Sequence, residues 1–248
     1  MSDGLAIEWV LVPIGFLGAL VYGLTGFGSA LVTIPLATHF VPLPFALAVF
    51  VLQDFSSALR VAAESPRNAL KAEVVRMVPP MIIGTVLGAT LLINLPRKAN
   101  MLALGTFVLL YGTWSLVRRG MPAKVGTGWA YFAGLCGGLF GMLFGAGGPP
   151  YAIYLSHRDL SKEHFRATLS LTSAFSIGIR GIGLAAMGFL LRADVWLTAA
   201  LVVPTALVAV ALATRVFRRV SRELLLRLVA LLLLATGVSL IARALGTS

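Results

Sequence analysis

Two apolar stretches of this chain carry polar side chains that hydrocarbon does not tolerate without a reason. Around residues 43–63 stand Gln53, Asp54, Ser56, Ser57, Arg60 and, just beyond, Glu64. Around residues 165–190 stand Thr168, Thr172, Ser173, Ser176 and Arg180. On a helix turning about 100° per residue, Gln53, Ser56, Ser57, Arg60 and Glu64 fall within about 80° of one another, with Asp54 at the stripe's edge. The second set lies on a comparable, slowly drifting face. A charge at the centre of a membrane helix costs roughly 2.5–3.5 kcal/mol on insertion scales. Both faces are therefore expected to line a cavity or an interior contact. Arg60 and Arg180 would supply cations for an oxyanion, with Gln53, Thr172 and Ser176 as neutral partners. The alternative pairs Arg60 with Glu64 one turn on, near the surface. Asp54, the only acid well inside an apolar segment, either carries a coupling proton or neutralises Arg180 or Arg60.

The second chemical signal is a pair of glycine-rich breaks. The first reads Gly23-Leu24-Thr25-Gly26-Phe27-Gly28-Ser29 and runs on to Pro35; the second reads Gly141-Met142-Leu143-Phe144-Gly145-Ala146-Gly147-Gly148-Pro149-Pro150. Glycine and proline disfavour helix by about 1 and 3 kcal/mol relative to alanine. A chain within hydrocarbon tolerates such a break only where protein or water covers it. A helix restarting after the break aims free N–H groups and a partial positive charge at it, and glycine lets a ligand approach closely. Thr25, Gly26, Phe27, Gly28 and Ser29 are expected to form one wall of a small-oxyanion pocket, and Gly145, Ala146, Gly147 and Gly148 the other. For Gly134, Gly137, Gly138 and Gly141 the small-residue spacing points to helix packing instead.

These features sit in a chain that is 58% hydrophobic and 12% charged, with mean hydropathy +0.94. That composition defines an all-α polytopic membrane protein of one membrane domain, residues 1–248, partnered by the lipid bilayer. Apolar runs of membrane length lie near residues 5–38, 43–63, 74–95, 98–117, 127–156, 165–190, 193–214 and 224–245; the first and fifth are long and broken. A shift of 119 residues lays Gly26 and Gly28 on Gly145 and Gly147, so the chain reads as two repeats, 1–120 and 121–248. Paired interruptions of this kind mark carriers built by duplication. If the broken segments are hairpins that return to the face they entered, the loops near 64–73, 118–126, 157–166 and 215–222 share one side. That side holds Arg67, Lys71, Arg118, Arg119, Lys124, Arg158, Lys162, Arg166, Arg215, Arg218, Arg219 and Arg222. The other keeps Arg97, Lys98 and Arg192, plus Arg243 near the C-terminus. The positive-inside rule favours this arrangement, with three crossings and one hairpin per half, both termini outside and the repeats inverted.

Several functions are disfavoured. The net charge of +11 comes from Lys and Arg clustered between apolar spans, a loop pattern and not a nucleic-acid surface. One cysteine, Cys136, and three scattered histidines suggest neither disulfide nor metal site. His39 reads as interfacial, and Trp9, Trp129 and Trp196 as membrane anchors. The run from His157 to Arg166 reads as a solvated cytoplasmic loop with a helix N-cap at Ser161. The N-terminus reads as a first membrane segment and not a signal peptide. No ATP-binding Gly-x-x-x-x-Gly-Lys-Ser/Thr sequence is present, and no cofactor is called for. An intramembrane enzyme would need a nucleophile with a base or paired acids; Asp54 alone supplies neither, so no catalytic residue is expected. An anion channel, or a membrane subunit of a larger assembly, remains an alternative to a carrier. Lipid-facing residues leave homo-oligomer formation open.

With Gly-x-x-Gly-Phe-Gly-Ser…Pro in its first segment and Gly-x-x-x-Gly-x-Gly-Gly-x-Pro in its fifth, the chain resembles the TauE/SafE family over nearly its whole length. It departs at Ser29, where a further glycine is common. The resemblance implies a multi-pass carrier of small sulfur-containing anions (sulfite, sulfonate or organosulfonate) in the cytoplasmic membrane of a prokaryote, working by alternating access. Only the hairpin glycines match the family motif; Arg60, Arg180 and Asp54 are assigned from their own chemistry.

Overall fold

The computed structural model describes residues 2–64, 68–117, 125–216 and 222–246. Arg67, Arg118, Arg119, Lys124, Arg218 and Arg219, on which the orientation partly rests, lie outside the described residues. Those described are helical throughout, with ten α-helices and no strand. Both glycine breaks interrupt helix where expected. The first apolar run divides into α1 (Ser2–Thr25) and α2 (Ser29–Ala37), and the fifth into α6 (Trp129–Phe144) and α7 (Gly148–Ser156). The other runs form α3 (Leu43–Glu64), α4 (Lys71–Asn94), α5 (Arg97–Val117), α8 (Lys162–Ala186), α9 (Ala193–Val216) and α10 (Arg222–Gly246). Among the described residues α3, α4, α8 and α9 are long and apolar enough to cross a bilayer, while the apolar part of α6 is shorter. Prolines inside α1, α2, α4 and α9 are tolerable because neighbouring helices can satisfy the carbonyls they free.

At each break the chain turns back on itself. Gly18 lies so close to Ser29 and Thr33 that a Cβ on it would sit 2.3 Å from Thr33 Cγ2, a contact that α2 could not make if it continued α1 in a straight line. Likewise Gly137 abuts the Tyr151 ring, and a Cβ on Gly147 would stand 2.6 Å from the Gly137 carbonyl.

Small residues let the longer helix of the second pair embed against α4. On α4, Gly84 and Gly88 meet the backbone of Leu135 and Leu139; on α6, Gly134 and Gly138 meet the carbonyls of Met77 and Met81. The packing expectation thus holds for Gly134 and Gly138, whereas Gly137 makes room for Tyr151. The partners follow a pattern: α1 packs on α9 as α6 packs on α4, α3 touches α9 as α8 touches α4, and α3 meets α8 as α5 meets α10. Exchanging the two groups of five helices maps each of these pairs onto another or onto itself. The short helices break the pattern. α2 also packs against α10 and is buried almost throughout, whereas α7 leans chiefly on α6 and α8. Its outer side borders an apolar groove of about 490 Å³ lined by Trp129, Phe132, Cys136, Phe140, Pro150 and Ile153 among others.

Ser161 caps α8 as expected, its Oγ accepting from the His164 N–H at 3.2 Å. The preceding loop is more than a solvated surface. Glu73, buried on α4, accepts from Tyr154 Oη at 2.6 Å, from Arg158 Nη2 at 3.1 Å and from Arg76 Nη1 at 3.2 Å. Sequence proximity could not suggest this knot, because Glu73 lies 85 residues from Arg158. The far end of the first hairpin is tied as well: His39 Nε2 meets Ser239 Oγ at 2.8 Å, and Arg243 Nη1 donates to Thr38 O at 3.3 Å.

Candidate functional site

The two breaks meet. Gly148, at the start of α7, lies against the Phe27 ring, and Gly145 lies against Ala30 and the Arg180 guanidinium. Each break is built by its own chemistry. In the first, the Thr25 hydroxyl is occupied within the turn: it donates to Val21 O at 2.8 Å, touches Phe27 O, and accepts from the Phe27 N–H at 3.2 Å. Gly26 and Gly28 take left-handed backbone at φ 80° and 89°, a conformation natural to glycine. In the second, Gly145 is left-handed at φ 71°, and the Gly145 and Ala146 N–H groups reach back to Gly141 O and Phe140 O. Gly147 differs from its counterpart Gly28. Its φ is −71°, so it is required for the close approach of Gly137 and not for backbone handedness. Neither α2 nor α7 has a side chain capping its first turn, which leaves the positive end of each short helix available toward the break, although Pro149 and Pro150 leave Gly148 the only N–H donor among the first three residues of α7.

Phe27, Gly28, Ser29, Gly145, Gly147, Gly148, Ser176 and Arg180 of the expected site residues, together with Asp54, line one cavity of about 30 Å³. That is room for roughly two waters. Thr25, Gly26, Ala146, Gln53, Arg60 and Thr172 are not on its wall. Gln53 stands behind it, donating from Nε2 to Ser29 Oγ at 3.1 Å. Thr172 turns away, bonding Thr168 O at 2.8 Å. Arg60 is exposed, because six residues beyond Asp54 carry it about 9 Å along the α3 axis; two guanidiniums do not converge. Arg180 is the cation of this cavity. Its Nη2 donates to Asp54 Oδ2 at 3.0 Å, and both side chains are 3% exposed. A further donation from Nη1 reaches Gly141 O at 3.4 Å.

Sequence reasoning passed over Tyr22 and Tyr151, placed Ser173 on the polar face without choosing it as an anion ligand, and assigned Gly141 to packing; all four line the cavity. Tyr151 Oη donates to Ser176 Oγ at 3.0 Å. Ser173, Ser176 and Arg180 are spaced three and four apart, a stripe that selects Ser173 over Thr172 once Arg180 is taken as the anchor. Nothing in the sequence distinguishes Tyr22 and Tyr151 from core aromatics. Within the described residues, Asp54 Oδ1, Arg180 Nε, Tyr22 Oη and Ser173 Oγ are buried without a geometrically satisfactory hydrogen-bond partner. Such atoms are few in a native interior and call for an explanation, a ligand or an ordered water among them. No group of side chains able to hold a metal ion occurs among the described residues. The larger groove beside α7 is lined mostly by apolar side chains.

An all-helical, multi-pass membrane protein with a polar cavity at two helix breaks belongs, as a class, with the membrane transporters. The model of the family described as "Sulfite exporter TauE/SafE" matches residues 11–240. The chain belongs to that family, whose members are transporters and not enzymes. A relative from Comamonas testosteroni, "Probable inner membrane transporter protein TsaS", is 30% identical over 171 residues, spanning 66% of this chain and 69% of the relative. No solved structure matches the chain.

Proposed function

We propose that this protein is a secondary carrier of a small sulfur oxyanion, sulfite or a sulfonate, working by alternating access between two inverted repeats, 1–120 and 121–248. The observation that carries the reading is the meeting of two uncapped helix starts and one buried guanidinium on a single small cavity. N–H groups, hydroxyls and Arg180 are all donors, which is what an oxyanion needs on leaving water. Family membership supplies the sulfur chemistry, and the relative's name agrees with transport at an inner membrane. The exchange-symmetric helix pairing supports inverted repeats, and the folding back of α2 on α1 and of α7 on α6 supports hairpins that return to the face they entered. In such a molecule the repeats rock about the cavity, opening it to one face and then the other.

Purified protein in liposomes preloaded with sulfite should take up labelled sulfite by counterflow, saturably and without ATP. Flux without saturation or counterflow would identify a channel. No flux with sulfite or any sulfonate would overturn the substrate class.

A further inference from the structure

Arg180, the only cation among the described residues that line the cavity, is already paired through Nη2, while its Nε lacks a partner. Asp54 Oδ2 holds Nη2 at 3.0 Å, so the carboxylate occupies the position on the guanidinium that an oxyanion substrate would seek. Asp54 is an anion of the protein's own, placed in competition with the cargo. Resting on the proposed carrier function, we infer that Asp54 must take up a proton for the anion to bind, so that one proton travels with each anion.

The charge balance requires it. The groups facing Asp54 are Tyr22 from α1, Ser29 from α2, Tyr151 from α7, and Ser173, Ser176 and Arg180 from α8; Gln53 adjoins on its own helix. On α9, which also packs against α3, the charged residues Asp194 and Arg215 stand at the helix ends. The nearby Arg166 donates to Gly23 O at 2.8 Å, outside the cavity wall. The ion pair is therefore neutral as it stands, and a monoanion added to it leaves one uncompensated negative charge away from water, a state proteins avoid. When a proton bonds to the Asp54 carboxylate, the Asp54 Oδ2–Arg180 Nη2 ion pair is broken and the freed guanidinium faces the anion. The site is then neutral with its cargo aboard. Release on the far side runs the steps backwards: the anion leaves, Asp54 gives its proton to water, and the ion pair reforms. The second oxygen, Oδ1, is buried without a partner of satisfactory geometry, so a proton can reach it from the side away from the Arg180 bond. Ser29, beside the carboxylate and held by Gln53, can turn its hydroxyl toward either form.

The sign of the pH dependence follows. Anion affinity is full where Asp54 is protonated and falls as pH rises through its ionisation, by about tenfold per pH unit at the limit. Methanesulfonate is the probe, because a sulfonate keeps one negative charge throughout the working range whereas sulfite titrates within it. Wild-type protein in detergent should bind methanesulfonate more weakly as pH rises and take up about one proton per anion bound, read with a pH indicator in weak buffer. Asp54→Asn, which imitates the protonated acid, should bind with an affinity independent of pH and tighter than wild type at alkaline pH. If Asp54 serves only to position Arg180, Asp54→Asn binds more weakly than wild type at every pH, and the inference is overturned. Should that variant not fold, the wild-type proton count decides alone: binding with no proton uptake refutes the coupling and leaves the carrier standing. If the wild type binds neither methanesulfonate nor sulfite at any pH, the proposed substrate class falls, and this inference with it.

Discussion

At the scale of residues, the site depends on one buried ion pair with unequal consequences for its two members. Removing Arg180 leaves Asp54 as an uncompensated buried carboxylate, a loss that typically costs about 3–5 kcal/mol. Arg180→Ala should therefore lower thermal stability sharply as well as abolish anion binding. The double variant Arg180→Ala, Asp54→Asn should regain most of the stability and none of the binding. A double variant no more stable than Arg180→Ala, measured by thermal unfolding in detergent, would show that the pair contributes little to the fold. Arg180, Ser176 and Asp54 were legible in the sequence because charge and hydroxyl at membrane depth are costly. Arg60 was misleading for the same reason, since helical phase alone does not report how far along the axis a cavity extends. Tyr22 and Tyr151 were not legible: an aromatic in an apolar run looks the same whether its hydroxyl meets a cavity or a carbonyl.

At the scale of elements, the glycines divide by cause, and the causes predict different outcomes. Gly28 has room for a Cβ, which would make ordinary contacts with Val21 and Leu31 at 3.6 and 3.8 Å, but its backbone is left-handed. Gly28→Ala should fold with a loss of about 1–2 kcal/mol. Gly138 has ordinary helical backbone but no space, since a Cβ there would lie 2.1 Å from the Met81 carbonyl. Gly138→Ala must force α4 and α6 apart and should deplete the monodisperse peak in size exclusion. Equal stability of the two variants would contradict this division. The positions of the breaks could be read from consecutive glycine and proline. The reason for each glycine could not, because close approach depends on a partner on another helix, Met81 for Gly138 and Tyr151 for Gly137.

At the scale of the whole molecule, the proposed return of each broken segment to the face it entered makes a prediction about sidedness. Gly126 and Asp159 flank the second hairpin, and Lys98 lies at the start of α5. With Cys136 replaced by alanine, single cysteines at Gly126 and Asp159 should react with a membrane-impermeant maleimide from the same, cytoplasmic, face, and one at Lys98 from the opposite face. Reaction of Gly126 and Asp159 from opposite faces would mean that α6 and α7 together cross the bilayer. The helical, membrane-spanning character of the apolar runs was legible in composition and spacing. The exchange of partners between halves was not, since long-range pairing leaves no periodic trace along the chain.

That exchange bears on how the protein is made. Because α1 seats on α9 and α4 on α6, the first half emerges from the ribosome before the surfaces that bury α1 and α4 exist, whereas the second half meets partners already made. The first hairpin must wait through most of translation, its glycine face open, until α9 is inserted. The first half is thus not a self-sufficient folding unit. Assembly is concerted and late, and a nascent chain cut short before α9 presents the quality-control proteases of the membrane with an unpaired α1.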